Sequence, residues 1–195
     1  METKYIGLEN GILDQASNIL SEDNHLMIMD CNDENYKLVR KSEEMPEFEV
    51  VVVYSGLSTS LIGTDYNNRV DECKVAGWLL QELSSKKVSS FDEIKLGNIP
   101  FETFEEHRDA LQGRFRRRAD HFYSEQARVQ KGIHAWEDGN LQTFGELMIQ
   151  SGDSSVNSYE CGCPELITIF EILKQSEGIY GPRFSGAGYR GCCIG

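Results

Sequence analysis

Through residues 101–138 the apolar side chains fall at Leu111, Phe115, Phe122, Val129, Ile133 and Trp136, in steps of three, four and seven. Such steps return to one face of an α-helix, so the spacing predicts helix through most of this stretch. Asp138-Gly139 closes it, because glycine is the usual residue just past a helix end. Asn140 caps a further helix through Met148. Cys163-Pro164 opens another, with proline at its first position and Leu166, Ile169, Phe170 and Leu173 toward the core, and Gly178 ends it. A stripe at Tyr66, Val70, Cys73, Gly77, Leu80 and Leu83 predicts helix over 65–86.

The rest is mixed. Residues 11–20 read as a short helix with Asp14 in its first turns, 25–30 as a strand, 32–35 as a turn and 36–39 as a hairpin partner. Residues 48–54, rich in valine between Pro46 and Gly56, read as a strand buried on both faces. Residues 88–100 read as a loop with a short helix. Helix, strands, long helices and a glycine-rich end make an α+β chain. The polar stretch 41–47, with its proline, is the candidate boundary between two packing units.

The chain has 195 residues, with 19 basic against 32 acidic side chains and a net charge of -13. A nucleic-acid partner is not expected, since phosphates call for a net basic face. The basic run Arg114 to Arg118 lies among acids and reads as a solvated helix face. No basic, apolar leader opens the sequence, and the apolar runs are too short to span a bilayer. The expectation is a cytoplasmic chain without a membrane partner, its 6 cysteines reduced. Cys161-Gly-Cys163 and Cys192-Cys193 fit zinc knuckles poorly, so no metal site is expected and the cysteines read as small buried side chains.

Gly186-Ala-Gly188-Tyr-Arg-Gly191 matches G-x-G-x-x-G, but a dinucleotide site needs a following helix and an acidic residue about 20 positions on. Only four residues follow, so that reading fails. The glycines serve a sharp turn, a close backbone approach or an anion-binding loop.

Several segments then fall into one order. Gly11-Ile-Leu-Asp-Gln15 resembles a G-I-M-D-Q segment, and His25-Leu-Met-Ile-Met-Asp-Cys31 the strand that follows it. Asp65-Tyr-Asn-Asn-Arg-Val-Asp-Glu-Cys73 resembles Y-x-x-R-x-x-E-C. Phe144-Gly-Glu-Leu-Met148 and Tyr159-Glu-Cys-Gly-Cys-Pro-Glu-Leu166 resemble F-G-x-L-M and Y-E-x-x-C-P-E-L. The last, Tyr180-Gly-Pro-Arg-Phe-Ser-Gly-Ala-Gly-Tyr-Arg-Gly-Cys192, resembles a glycine-rich third motif. All belong to the galactokinase-like branch of the GHMP small-molecule kinases, and the closing segment is similar to that of plant galacturonokinases.

The resemblance implies the family's C-terminal domain over 46–195, a two-layer arrangement of sheet and helices, after a remnant of the N-terminal catalytic domain over 1–45. It implies transfer of a phosphoryl group from ATP, with Mg2+, to the anomeric hydroxyl of galacturonic acid or galactose. Asp14 matches the catalytic aspartate, which accepts or polarises the proton of that hydroxyl; without the resemblance it reads as an aspartate near a helix start. Tyr66 matches a tyrosine that contacts the sugar, though its place on the helical stripe equally suits a core residue. Arg183 matches the arginine before the glycines and suits phosphate, carboxylate or a surface ion pair. Gly186, Gly188 and Gly191 match the loop that closes the site. Galactokinases read G-G-G-F-G-G there, and the arginine this chain substitutes, Arg190, is with Arg183 a candidate for meeting a uronate carboxylate. The S-H-x-S-L segment is altered too, reading Ser151-Gly-Asp-Ser-Ser155.

The R-x-N-x-x-G-E-H-x-D-Y and P-x-x-x-G-L-S-S-S-A segments of the family's N-terminal half are not in this sequence. Ser55-Gly-Leu-Ser-Thr-Ser60 superficially resembles the second but follows Asp14, the wrong order. The expectation is a family member cut at both ends, inactive by itself. The alternative is a non-catalytic homologue that binds a partner through exposed core.

Overall fold

A computed structural model of the chain describes residues 11–57, 64–85 and 90–195. Residues 58–60 of the phosphate-loop look-alike, and 86–89 at the end of one predicted helix and the start of the next loop, lie outside them. The elements are α1 (Leu13–Leu20), β1 (His25–Met29), β2 (Tyr36–Arg40), β3 (Val52–Tyr54), α2 (Tyr66–Leu83), α3 (Phe101–His107), α4 (Gly113–Glu137), α5 (Leu141–Ser154), α6 (Pro164–Gln175), β4 (Arg183–Phe184) and β5 (Cys192–Ile194). Single 3-10 turns at Phe91–Glu93, Leu96–Asn98 and Arg108–Ala110 replace the short helix expected before Pro100 and break the long helical stretch. A wide turn, Ser155–Tyr159, extends α5.

Local chemistry accounts for the helix ends. Asn140 accepts a bond from the Thr143 amide at 3.0 Å, and Pro164 stands in the first turn of α6. β1 and β2 form an antiparallel hairpin with Met27 opposite Leu38. β3, β5 and β4 form an antiparallel sheet in that order, with Cys193 between Val53 and Phe184.

Three apolar clusters hold these pieces. Leu80 of α2, Leu96, Phe104, Leu111 and Tyr123 make the first. Leu166 and Phe170 of α6 join Cys161, Phe184, Tyr189 and Cys193 in the second. Val39, Met45, Trp136 and Leu141 make the third, and the Trp136 indole donates to the Val39 carbonyl at 3.1 Å. Met45 lies inside the stretch 41–47, so that polar segment is itself pinned to the α4–α5 corner. Cys161 and Cys193 are buried thiols as expected, and burial pushes both up to about 11, but Cys73, Cys163 and Cys192 are only half-buried and Cys31 is exposed.

Two expectations need correction. The apolar run 48–54 is not a strand buried on both faces: only Val52–Tyr54 is strand, and Val52 and Tyr54 are 63% and 54% exposed. It is the sheet edge, paired on one side by β5, and only Val53 packs against the second cluster. The run Arg114 to Arg118 is not simply a solvated face. Arg114 is open to solvent, but the Arg118 side chain is 0% exposed.

His121 of α4 is a half-buried titratable group. Its ring stacks on Tyr159, centroids 4.9 Å apart, and its Nδ1 lies 2.8 Å from Ser154 Oγ. Burial pushes its pKa down from 6.5 to about 4. On acidification the unfolded chain therefore takes up this proton first. The stability from the neutral ring is complete above pH 6.5 and lost as pH falls to 4, a loss of about 3 kcal/mol. His121→Phe keeps the stacking and cannot titrate. Denaturant melts at pH 7 and pH 4.5 should show a smaller acid-induced loss in the variant; equal losses would remove His121 as a source.

Candidate active site

Asp14 sits in the first turn of α1 and is exposed. The free amides there favour a carboxylate. Its neighbour Leu13 lines a cleft of about 430 Å³ between α1–β1 and α4–α5. Apolar walls come from Ile12, Ile28, Val129, Phe144 and Met148, and polar groups from Glu125, Arg128, Ser151 and Arg183. Arg128 bonds Glu125 at 2.8 Å, and the Ser151 hydroxyl donates to the other carboxylate oxygen. Burial works to raise the Glu125 pKa, but these bonds and the charge of Arg183 hold it below the usual carboxylate range. Arg183 is half-buried on β4 and so shares a cleft with the residue beside Asp14.

The glycine-rich segment is the hairpin between β4 and β5, which are antiparallel neighbours. That topology has no place for a dinucleotide-binding turn, which links a strand to a helix. Gly186, Gly188 and Gly191 have φ of +70°, +75° and +97°. Gly188 is the tightest: an added Cβ would lie 3.0 Å from Cys161 Sγ and 3.1 Å from Phe184 Cδ2. Arg190 is half-buried on the same hairpin.

Tyr66 opens α2 and is half-buried against the second cluster. Its ring meets that of Tyr189 edge-on, centroids 6.1 Å apart. The structure thus brings Tyr66 to the hairpin that carries Gly188 and Arg190, and brings Arg183 to the cleft bordered by Leu13.

Beneath this pair lies an ionic cluster that sequence reasoning missed. Arg118 donates from Nε to Glu72 at 2.7 Å, from Nη2 to Glu160 at 2.6 Å and from Nη1 to the Ser158 carbonyl at 2.6 Å. Glu72 also receives Arg69 at 3.0 Å and Arg114 at 3.2 Å, and Glu160 receives Arg117 at 2.8 Å. Burial opposes the Arg118 charge, but Glu160 and Glu72 more than offset it and raise its pKa. The same Arg118 bond holds Glu160 low. The local pair Arg69–Glu72, three apart on a helix, was the one sequence signal for the cluster.

No helix among the described residues is long and apolar enough to cross a membrane. Residues 130–195 match the family model described as GHMP kinases C terminal. Over those residues the chain carries the C-terminal domain of the GHMP kinases. Along its whole length it is also similar to particular sugar kinases. It is 42% identical to the galacturonokinase of Arabidopsis thaliana over 195 residues, covering 100% of this chain and 45% of that one. It is 32% identical to the galactokinase of Limosilactobacillus reuteri, covering 99% and 47%. The Lactococcus lactis galactokinase, solved with galactose, superposes with a TM-score of 0.83 at 30% identity, covering 99% of this chain and 48% of that one. The chain spans about half the length of the curated relatives it matches.

Proposed function

We propose that this chain is the C-terminal part of an ATP-dependent sugar-1-kinase that phosphorylates the anomeric hydroxyl of galacturonic acid. The observation that carries the reading is 42% identity to a galacturonokinase over 195 residues, 100% of this chain. In it, residues 1–45 are the remnant of the catalytic domain and 46–195 the C-terminal domain. Asp14 accepts or polarises the sugar hydroxyl proton, Tyr66 packs on the sugar, and the hairpin with Gly186, Gly188 and Gly191 closes over the site. Phosphoryl transfer needs positioning and charge neutralisation more than covalent help.

Among the described residues no three His, Cys, Asp or Glu side chains gather to hold a cation. Mg2+ at such sites needs only one or two carboxylates beside the nucleotide phosphates, so in this reading it would come with ATP, and no step is routed through it here. The phosphate-loop pattern is not in the sequence either. By this reading the 195 residues alone form no sugar 1-phosphate, because positioning both substrates supplies most of the rate.

The hairpin departs from the galactokinase glycines at Ala187 and Arg190, and we assign Arg190 to the uronate carboxylate. Arg190→Gly in the full-length protein should lower the preference for galacturonate over galactose by about tenfold or more, as loss of a charge-assisted bond does. Unchanged selectivity would remove Arg190 from the account.

A non-catalytic binding role is the second reading, favoured by apolar surface on α1, where Leu13 and Ile19 are 58% and 78% exposed. Calorimetric titration of the full-length protein with galacturonate and with ATP separates the two. Binding of both supports the kinase, and binding of neither supports the partner role.

A further inference from the structure

Arg118 has no exposed side-chain surface, and its hydrogen bonds go to Glu72, Ser158 and Glu160 rather than to Asp14 or the glycines. Its three donors leave one planar group in different directions. One reaches Glu72, on the same helix as Tyr66 and less than two turns further along. The other two reach Ser158 and Glu160, at the end of the wide turn after α5. The next residue, Cys161, forms the floor on which Gly188 rests.

We propose that Arg118 is a positioning residue of the sugar site: by bonding Glu72 and the 158–160 turn at once, it fixes the start of α2 against the glycine-rich hairpin and so sets Tyr66 against Tyr189. The proposal rests on the sugar-kinase reading above. A buried charge enforces this geometry because any displacement leaves it without a partner in a dry interior. The planar fork of arginine spans two carboxylates and a carbonyl in fixed directions, which the compact ammonium of lysine cannot do over the same distance.

The test is Arg118→Lys and Glu160→Gln in the full-length protein, with steady-state kinetics on galacturonate and ATP. Glu160 is partly exposed, and in Glu160→Gln the Arg118–Glu72 bond remains, so that variant keeps the fold while loosening one arm. The expected result is a rise of about tenfold in KM for galacturonate in Arg118→Lys and a smaller rise in Glu160→Gln, with KM for ATP within about twofold. A role in stability alone lowers the melting temperature and leaves the two KM values in proportion. An unchanged galacturonate KM in both variants, with an active wild type, overturns the role of Arg118 alone. A wild type that forms no sugar 1-phosphate overturns the kinase reading beneath it.

Discussion

Asp14→Asn in the full-length protein should lower kcat by roughly 10²- to 10⁴-fold, the range for loss of a positioned general base. The amide keeps the size of the carboxylate and can still touch the sugar, but it cannot take the proton. KM for the sugar should therefore stay within about threefold. Asp14 is exposed in the first turn of α1 and its side chain packs into none of the three clusters. The melting temperature should move by no more than about 2 °C, as for other surface changes. A kcat within about threefold of wild type would take Asp14 out of the chemistry, and a collapse in melting temperature would make it structural.

Gly145→Ala should be among the most damaging changes to the fold. Gly145 of α5 faces the backbone at Tyr180 and Gly181, and an added Cβ would overlap the Tyr180 carbonyl. The reverse holds too, since a Cβ on Gly181 would overlap the Gly145 carbonyl. Neither neighbour is a flexible side-chain end that can swing aside, so α5 or the segment leading into β4 must shift. Overpacking of this kind costs about 3 kcal/mol, which lowers the melting temperature of a chain this size by about 10 °C. Gly186→Ala is the control. Nothing lies within 4 Å of its Cβ position, and the left-handed φ of +70° alone should cost about 1 kcal/mol. Equal shifts in the two melts would contradict the close approach.

Much of the fold was legible in the sequence because it is set by local chemistry. The stripe through Phe115, Phe122 and Trp136, the Asn140 cap and Pro164 each report on one helix, and those helices stand where they point, whereas Leu111 falls in the break before α4. The valine run 48–54 misled because an apolar run shows that something covers it, not how many faces are covered. Arg118 was illegible for a related reason. Its carboxylates, Glu72 and Glu160, are 46 and 42 residues away along the chain, and only the packing of α2, α4 and the turn after α5 brings them together. The glycines of F-G-x-L-M and Y-G-P-R read as motif letters, whereas the structure gives Gly145 and Gly181 a cause in each other. Asp14 and Arg183 were named through family resemblance; the structure places Arg183 in a cleft lined by Leu13, the residue beside Asp14, a relation that no spacing could give. Tyr189, the partner of Tyr66, was passed over as a letter between glycines.

The negative charge now has a local counterpart. A chain with net charge -13 repels ATP and a uronate at long range. The four arginines of the ionic cluster are paired with Glu72 and Glu160, so their charge is largely neutralised locally.

The most direct test is phosphorus NMR of the full-length protein incubated with ATP, Mg2+ and galacturonic acid. The account predicts a new sugar phosphate whose resonance is split by the anomeric proton, formed with galacturonic acid in preference to galactose and lost in Asp14→Asn. ATP consumption without a sugar 1-phosphate, or a product carrying phosphate on any other carbon, would contradict it.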